Sequence, residues 1–365
     1  MKVYCHGLDL SEAILKVIKA SAINKNLPIL EGIKISAVGT TLVLTATDLE
    51  LTIIKTINAD VKIEGEVIVP GKFFSEFIKT LSNEQIELEC IDNNNLIIKY
   101  MDSETIVKCM NVDEFPPVSN VDEELSFTIF QKDFKEAINK TIFSAATNDA
   151  RPILKGCLLD IKEHELIMVA VDGYRLALCR KALDNNKREK EIVVPARSLY
   201  EISKVMSDDE TPTTVILGSN KIMIDLGHTK IVSQLIEGEY IRYKNLLANE
   251  FASYSTVCKQ QFMNGVDRAS LISRLEKNNV VKLDVRESII TIASNSSIGN
   301  IKENVVSSLK GKDLIISFNA RYLMECMGVI SDEFIIMCFT SSTSPCVIKP
   351  VESEEFLYLI LPMRT

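Results

Sequence analysis

The chain repeats itself. TLVLTATDLELTI (41–53), LIMVAVDGYRLAL (166–178) and IITIASNSSIGNI (289–301) each run as an alternating strand into a polar turn and out again. Asp48, Asp172 and Asn295 hold equivalent places in these turns, 124 and then 123 positions apart. EVIVPGKFFSEFIKTL (66–81), EIVVPARSLYEISKVM (191–206) and LIISFNARYLMECMGVI (314–330) follow at the same spacing, with Pro70, Pro195 and Phe318 separated by 125 and 123. Upstream, NLPILEGIKI (26–35) answers ARPILKGCLLDI (150–161), and NNVVKLDV (278–285) is a fainter third copy. Landmarks that keep one order and one period mark a duplicated unit. The period predicts three homologous domains, 1–122, 123–248 and 249–365. Their joins fall in the polar, turn-rich segments FPPVSNVDEE (115–124) and KNLLANEFAS (244–253).

Each copy opens with a helical pattern: LSEAILKVIKASA, KDFKEAINKTIFSAA, then QQFMNGVDRASLI. Strands follow, then a second helix in GKFFSEFIKTL, ARSLYEISKVM and NARYLMECMGVI, then more strands. This predicts an α+β fold of three repeated domains, each with two helices and about eight strands. Strand order within the sheets is not legible at this level.

The helices are amphipathic. Ile14, Leu15, Val17 and Ile18 form one apolar stripe, and Phe73, Phe74, Phe77, Ile78 and Leu81 another. The opposite faces carry bases: Lys16 and Lys19, Lys72 and Lys79, Lys135 and Lys140, Arg197 and Lys204, then Arg268 and Arg321. One such face is ordinarily just solvated. Six equivalent faces turned to a common surface would sum to a basic wall, which binds phosphates without reading base sequence. The net charge of −9 does not exclude this, because net charge does not fix local charge.

Other chemistry finds little support. No apolar run is long enough to span a bilayer, and Asp9, Glu12, Lys16 and Lys19 interrupt what would be a signal core. Nine scattered cysteines without CxxC predict neither a disulfide framework nor a zinc site, and they fit a reducing cytoplasm. Gly65 to Gly71-Lys72 has the wrong gap for a phosphate loop, with Phe73 where Ser or Thr is needed. His6, His164 and His228 form no metal-spaced pair, so no metal or cofactor is expected. Asp48 and Asp172 are read as turn formers, not as a carboxylate pair.

TATDLE (45–50), the RPILKG…VAVDGYRLAL block (151–178), EIVVPARSL (191–199), LIEGEY (235–240) and YLILPMRT (358–365) together resemble the bacterial sliding clamp family, the β subunits of DNA polymerase III. The resemblance covers essentially the whole chain. It implies a head-to-tail homodimeric ring around duplex DNA, with helices facing a central channel and sheets outside. It also implies a non-catalytic processivity factor, loaded by a separate ATP-using clamp loader. A pocket for short linear peptides of the replicative polymerase, the loader and repair proteins would be formed by Leu154, Asp172, Gly173, Tyr174, Arg175, Leu176, Leu246, Pro345, Leu359, Leu361, Pro362, Met363 and Arg364. In it Tyr174 would stand as an aromatic wall and Arg175 as a polar rim.

By the same resemblance Asn24, Lys25 and Asn148 lie in loops that approach DNA. Ile106 and Val107 would meet Leu271 and Ile272 of the second copy. The chain departs from the family's habit at Ile241, Asn245 and Thr365, which bears on the peptide preferred. Two other readings stay open from the residues alone: a protein-binding repeat scaffold without DNA, and a three-domain enzyme with an unrecognised site.

Overall fold

A computed structural model describes the chain except residues 23–25, 93, 119–120, 149, 184–187, 248–249, 275–278 and 365. The first repeat contains β1 (Lys2–His6), α1 (Gly7–Val17), β2 (Gly32–Val38), β3 (Thr41–Thr47), β4 (Leu51–Asn58), β5 (Asp60–Ile63), β6 (Gly65–Pro70), α2 (Gly71–Lys79), β7 (Gln85–Cys90), β8 (Asn95–Tyr100) and β9 (Ser103–Lys108). The second contains β10 (Leu125–Phe130), α3 (Gln131–Thr141), β11 (Gly156–Ile161), β12 (Glu165–Val171), β13 (Arg175–Ala182), β14 (Lys190–Pro195), α4 (Ala196–Val205), β15 (Pro212–Leu217), β16 (Lys221–Asp225) and β17 (Thr229–Gln234). The third contains β18 (Ser253–Cys258), α5 (Lys259–Ser273), β19 (Val280–Val285), β20 (Ile289–Ser296), β21 (Gly299–Gly311), β22 (Leu314–Asn319), α6 (Ala320–Val329), β23 (Phe334–Phe339), β24 (Cys346–Pro350) and β25 (Phe356–Ile360).

Local chemistry explains these elements. β10 alternates buried Leu125, Phe127 and Ile129 with exposed residues, the period of a strand with one covered face. In α2, Phe74 and Ile78 are four apart and both fully buried. The His6 imidazole accepts the Leu8 amide at 3.2 Å to cap α1, and the Asn319 side chain accepts the Arg321 amide at 2.9 Å to cap α6. The helical stripes are narrower than the sequence pattern implied. Leu15 is 45% and Phe73 49% exposed, and Phe73 stacks on Phe77 with ring centroids 5.9 Å apart.

The structure divides into two compact units, and the second repeat contributes to both. The first unit holds Met1–Lys132 and Arg197–Leu235; the second holds Asp133–Ala196 and Ile236–Thr365. In the first, strands run β5-β1-β7-β8-β9 in one sheet and β10-β15-β16-β17-β4-β3-β2-β6 in another. In the second, one sheet runs β14-β11-β12-β13-β25-β24-β23-β18-β21-β20-β19-β22.

Two joints therefore carry a sheet from one repeat into the next. In the first unit β4 pairs with β17, with Ile53 opposite Ile231. In the second, β13 pairs with β25, with Ala177 opposite Tyr358. In both, the strand leaving the Asp turn of one repeat meets the last strand of the next. At the start of the 115–124 join, Phe115 is 9% exposed and packs with Ile29, Leu30 and Ile68, so apolar burial anchors that end of the join.

Helices cover the sheets. In the first repeat α1 and α2 pack together, α1 over β3 and β4 and α2 over β2 and β6. In the third, α5 lies over β19, β20 and β21 beside α6, and Phe262, Val266, Leu323 and Met327 join Leu283, Ile292 and Phe318 in one core. The nine cysteines are free, and burial pushes the thiols of Cys5, Cys157 and Cys179 up to about 12.

Candidate functional site

The turn between β12 and β13 is built by Asp172. Its Oδ1 accepts the amides of Tyr174 at 2.9 Å and Arg175 at 3.1 Å, and Gly173 takes φ +93°, which a side chain would disfavour. Asp48 makes the same turn in the first repeat, accepting the amides of Glu50 at 3.1 Å and Leu51 at 2.7 Å. Both carboxylates thus serve as turn formers.

Around this hairpin the sequence-assigned residues take distinct places. Leu154, Leu176 and Leu359 are 3%, 1% and 5% exposed and share one apolar cluster with Tyr240, Tyr243 and Val347. Ile241 and Leu247 pack against the same cluster. Tyr174 stands out at 59% exposure, and its carbonyl accepts the Leu361 amide at 2.9 Å. The Met363 amide donates to the Ser317 carbonyl at 2.8 Å, so two backbone bonds hold the tail. Along that tail Leu361 and Arg364 are exposed, while Pro362 and Met363 are half-buried. Leu246 is exposed at the end of the short turn Tyr243–Leu246, and Pro345 is half-buried just before β24.

Arg175 departs from the expectation of an open rim. It is 6% exposed. Its Nε donates to Asp172 Oδ2 at 2.9 Å, one terminal nitrogen donates to Glu325 on α6, and the other donates to the Phe143 carbonyl at 2.6 Å. The guanidinium also lies 4.2 Å from the Tyr322 ring centroid. A planar fork with five donors suits this threefold duty. Arg175 braces the hairpin from beneath.

Sequence reading missed the support under Tyr243. Its hydroxyl donates to Oδ2 of the fully buried Asp160 side chain at 2.8 Å, with Lys162 and Lys244 at 3.1 and 3.3 Å from the carboxylate. Burial pushes the Asp160 carboxyl up, but these partners outweigh it and hold the group below its ordinary value. The tyrosines one and four residues after LIEGE carried the signal, because a buried Tyr needs a hydroxyl partner.

The basic helix faces are uneven. Lys72, Lys79 and Lys204 are exposed, and Lys16, Lys19 and Lys135 are half-buried. Arg197 pairs with Asp48 at 3.0 Å, Arg268 with Glu303 at 2.7 Å and Arg321 with Glu325 at 3.6 Å. Lys140 is the clear exception to the expected surface. Its side chain is 12% exposed, bound to Glu136 at 2.5 Å and set over the Phe356 ring. Asn148 is exposed and accepts the Ala150 amide. Asn24, Lys25 and Thr365 lie outside the described residues.

Among the described residues, two of the strand edges bear on how the repeats join. β9 pairs only with β8, and residues 299–306 of β21 pair only with β20. Ile106 on β9 is 61% exposed, whereas Val107 points into the core at 4%. Leu271 is 57% exposed and Ile272 half-buried at the end of α5. Ile298 and Val306, at 70% and 73%, add apolar surface beside the β21 edge that sequence reading did not single out.

Among the described residues no group of three or more His, Cys, Asp or Glu could hold a metal ion, and no helix is long and apolar enough to cross a membrane.

Comparison with known proteins covers the chain end to end. Family models described as the N-terminal, central and C-terminal domains of the DNA polymerase III beta subunit match residues 1–120, 128–241 and 244–364. The beta sliding clamp of Staphylococcus aureus is 31% identical over 358 residues, 95% of each chain. The DNA polymerase sliding clamp of Bacillus subtilis superposes with a TM-score of 0.96 at 30% identity, covering 100% of this chain and 99% of that one. A putative DNA polymerase III beta subunit from Eubacterium rectale superposes at 0.95 with 29% identity, covering 100% of both.

Proposed function

Because the chain belongs to the DNA polymerase III beta subunit family, the bacterial sliding clamps, we propose that two copies close head to tail into a ring around duplex DNA and tether the replicative polymerase. The repeat supplies the observation that carries this reading. The strand leaving the turn of repeat one pairs with the last strand of repeat two, β4 with β17. The corresponding strand of repeat two pairs with the last strand of repeat three, β13 with β25. The next pair in the series is β21 of repeat three with β9 of repeat one, and each of these has an edge without a ladder partner among the described residues. Within one chain that pair would have to close on itself; between two copies it makes two equivalent joints and a closed assembly. Exposed Ile106 and Leu271, with Ile298 and Val306, supply apolar cover for the joint, and the pairing hides edges that otherwise invite aggregation.

In this reading the three domains, 1–122, 123–248 and 249–365, contribute six helix pairs from two chains to a channel wall. Lys16, Lys19, Lys72, Lys79, Lys135, Arg197, Lys204, Arg268 and Arg321 meet phosphates there without base contacts, with Asn24, Lys25 and Asn148 on the loops. Arg197, Arg268 and Arg321 each pair with a carboxylate, which favours sliding over tight seating. Processivity follows from topology and the effective concentration of the tethered enzyme. The clamp performs no catalysis and acts in the bacterial cytoplasm.

The hairpin and tail hold short peptides of the polymerase, the loader and repair proteins. The apolar floor of Leu154, Leu176 and Leu359, the exposed Tyr174 and the docked tail support that assignment, with Leu246, Pro345, Pro362, Met363 and Arg364 around it. Light scattering at micromolar concentration tests the ring: a particle of twice the chain mass is expected, and a monomer overturns the pairing of β9 with β21.

A further inference from the structure

A second strand on the helix-covered face carries a lysine that the motifs did not mark. Lys55 lies on β4, two and four positions after Ile53 and Leu51, which are both buried. Alternation puts all three on one face of the sheet, and α1 packs across β4. Lys55 is half-buried there and no carboxylate lies within ion-pair distance among the described residues. It lines an open cleft of about 230 Å³ together with Asp9, Glu12 and Lys16 of α1 and His228 of the turn before β17. An unpaired amine beside a second ammonium is an unusual arrangement for a structural lysine, which ordinarily reaches a carboxylate or open water.

We propose that Lys55 is this chain's preferred site of acylation by acyl phosphates, the mixed anhydrides of a carboxylic acid and phosphoric acid. The uncharged Nζ attacks the carbonyl carbon and forms the amide bond. The bond from that carbon to the bridging oxygen breaks, and phosphate leaves with the electron pair. The surplus proton on nitrogen passes to water, directly or by way of Glu12 or Asp9. The Lys16 ammonium and a ring N–H of His228 favour the phosphate end of the reagent. The product is a neutral amide in the open cleft.

Electrostatics supports the amine as nucleophile. Burial lowers the Lys55 pKa and Lys16 lowers it further; Glu12 and Asp9 push back, but the net direction is down. His228 also lines the cleft. More of Lys55 is therefore the free amine near neutrality than for an ordinary lysine.

The assignment stands apart from the DNA reading. Only its consequence, the loss of one positive charge beside Lys16, rests on that reading.

The test uses the full chain with acetyl phosphate, quenched over time, digested and quantified by peptide mass spectrometry. At about pH 7.5 Lys55 is expected to acetylate faster than exposed Lys72 or Lys79, because a lowered pKa leaves more free amine. Lys16→Met should slow Lys55 and leave Lys72 unchanged. Equal or slower labelling of Lys55 in the parent overturns the proposal. Selective labelling of Lys55 upholds the acylation site whatever its effect on DNA, so failure of the DNA reading would not be mistaken for failure of this one.

Discussion

Arg175→Ala separates a bracing role from a peptide-contacting one. The substitution removes a guanidinium that ties Asp172, Glu325 and the Phe143 carbonyl together. Breaking a buried pair from one side costs about 3–5 kcal/mol. The Asp172 side chain is 12% exposed and keeps most of that cost, while Glu325 at 34% recovers some solvation, so about 3 kcal/mol is appropriate here. The stranded Phe143 carbonyl adds about 1 kcal/mol. A total near 4 kcal/mol lowers the melting temperature by roughly 8–16 °C for a unit of this size.

The assay is urea and thermal unfolding followed by circular dichroism, for Arg175→Ala, Glu325→Gln and the double variant. A coupling energy above about 1 kcal/mol is expected between the two positions. Arg175→Lys should recover less than half of the loss, because an ammonium cannot reproduce the planar fork. The reasoning is refuted if Arg175→Ala unfolds within about 1 kcal/mol of the parent. Peptide binding lost without loss of stability would then make Arg175 a contact residue.

Four further outcomes follow from other parts of the structure. Tyr243→Phe should cost about 1–2 kcal/mol by removing the hydroxyl on buried Asp160. Asp160 has a folded pKa below its unfolded one, so its contribution is present at neutral pH and fades as pH falls through both values; the stability gap between parent and Asp160→Asn should be flat above about pH 5 and shrink below about pH 4. Ile106→Asp, on an exposed edge residue, should yield a folded monomer by light scattering with unchanged circular dichroism, and an unchanged dimer would count against β9 as the joint. Lys72→Glu with Lys79→Glu should leave melting unaltered and speed the salt-dependent loss of the protein from DNA, with a shallower salt slope by about 2, one per phosphate contact removed.

The sequence made the threefold repeat, the helix and strand order within it and the Asp48 and Asp172 turns readable, because each rests on local spacing or local hydrogen bonding. The joints between repeats were not readable. β4 with β17 and β13 with β25 pair strands about 180 positions apart, and an amphipathic strand carries no mark of which edge it will meet. Arg175 looked like a rim residue because charge is usually exposed; its burial depends on Glu325 and Phe143 arriving from distant helical segments. Lys140 was misread for the same reason, since Phe356 and Glu136 cover it only in the folded chain. Leu15 and Phe73 had the right period but sit at the margin of their stripes, where period alone cannot separate core from edge.

The measurement that bears most directly on the clamp is retention on DNA with and without ends. Nicked circular plasmid and its linearised form are each incubated with the protein, a bacterial clamp loader and ATP, then passed through gel filtration in high salt. A topological ring stays on the circle and slides off the linear form. Equal retention on both would mean ordinary contact binding and would contradict a closed ring around DNA.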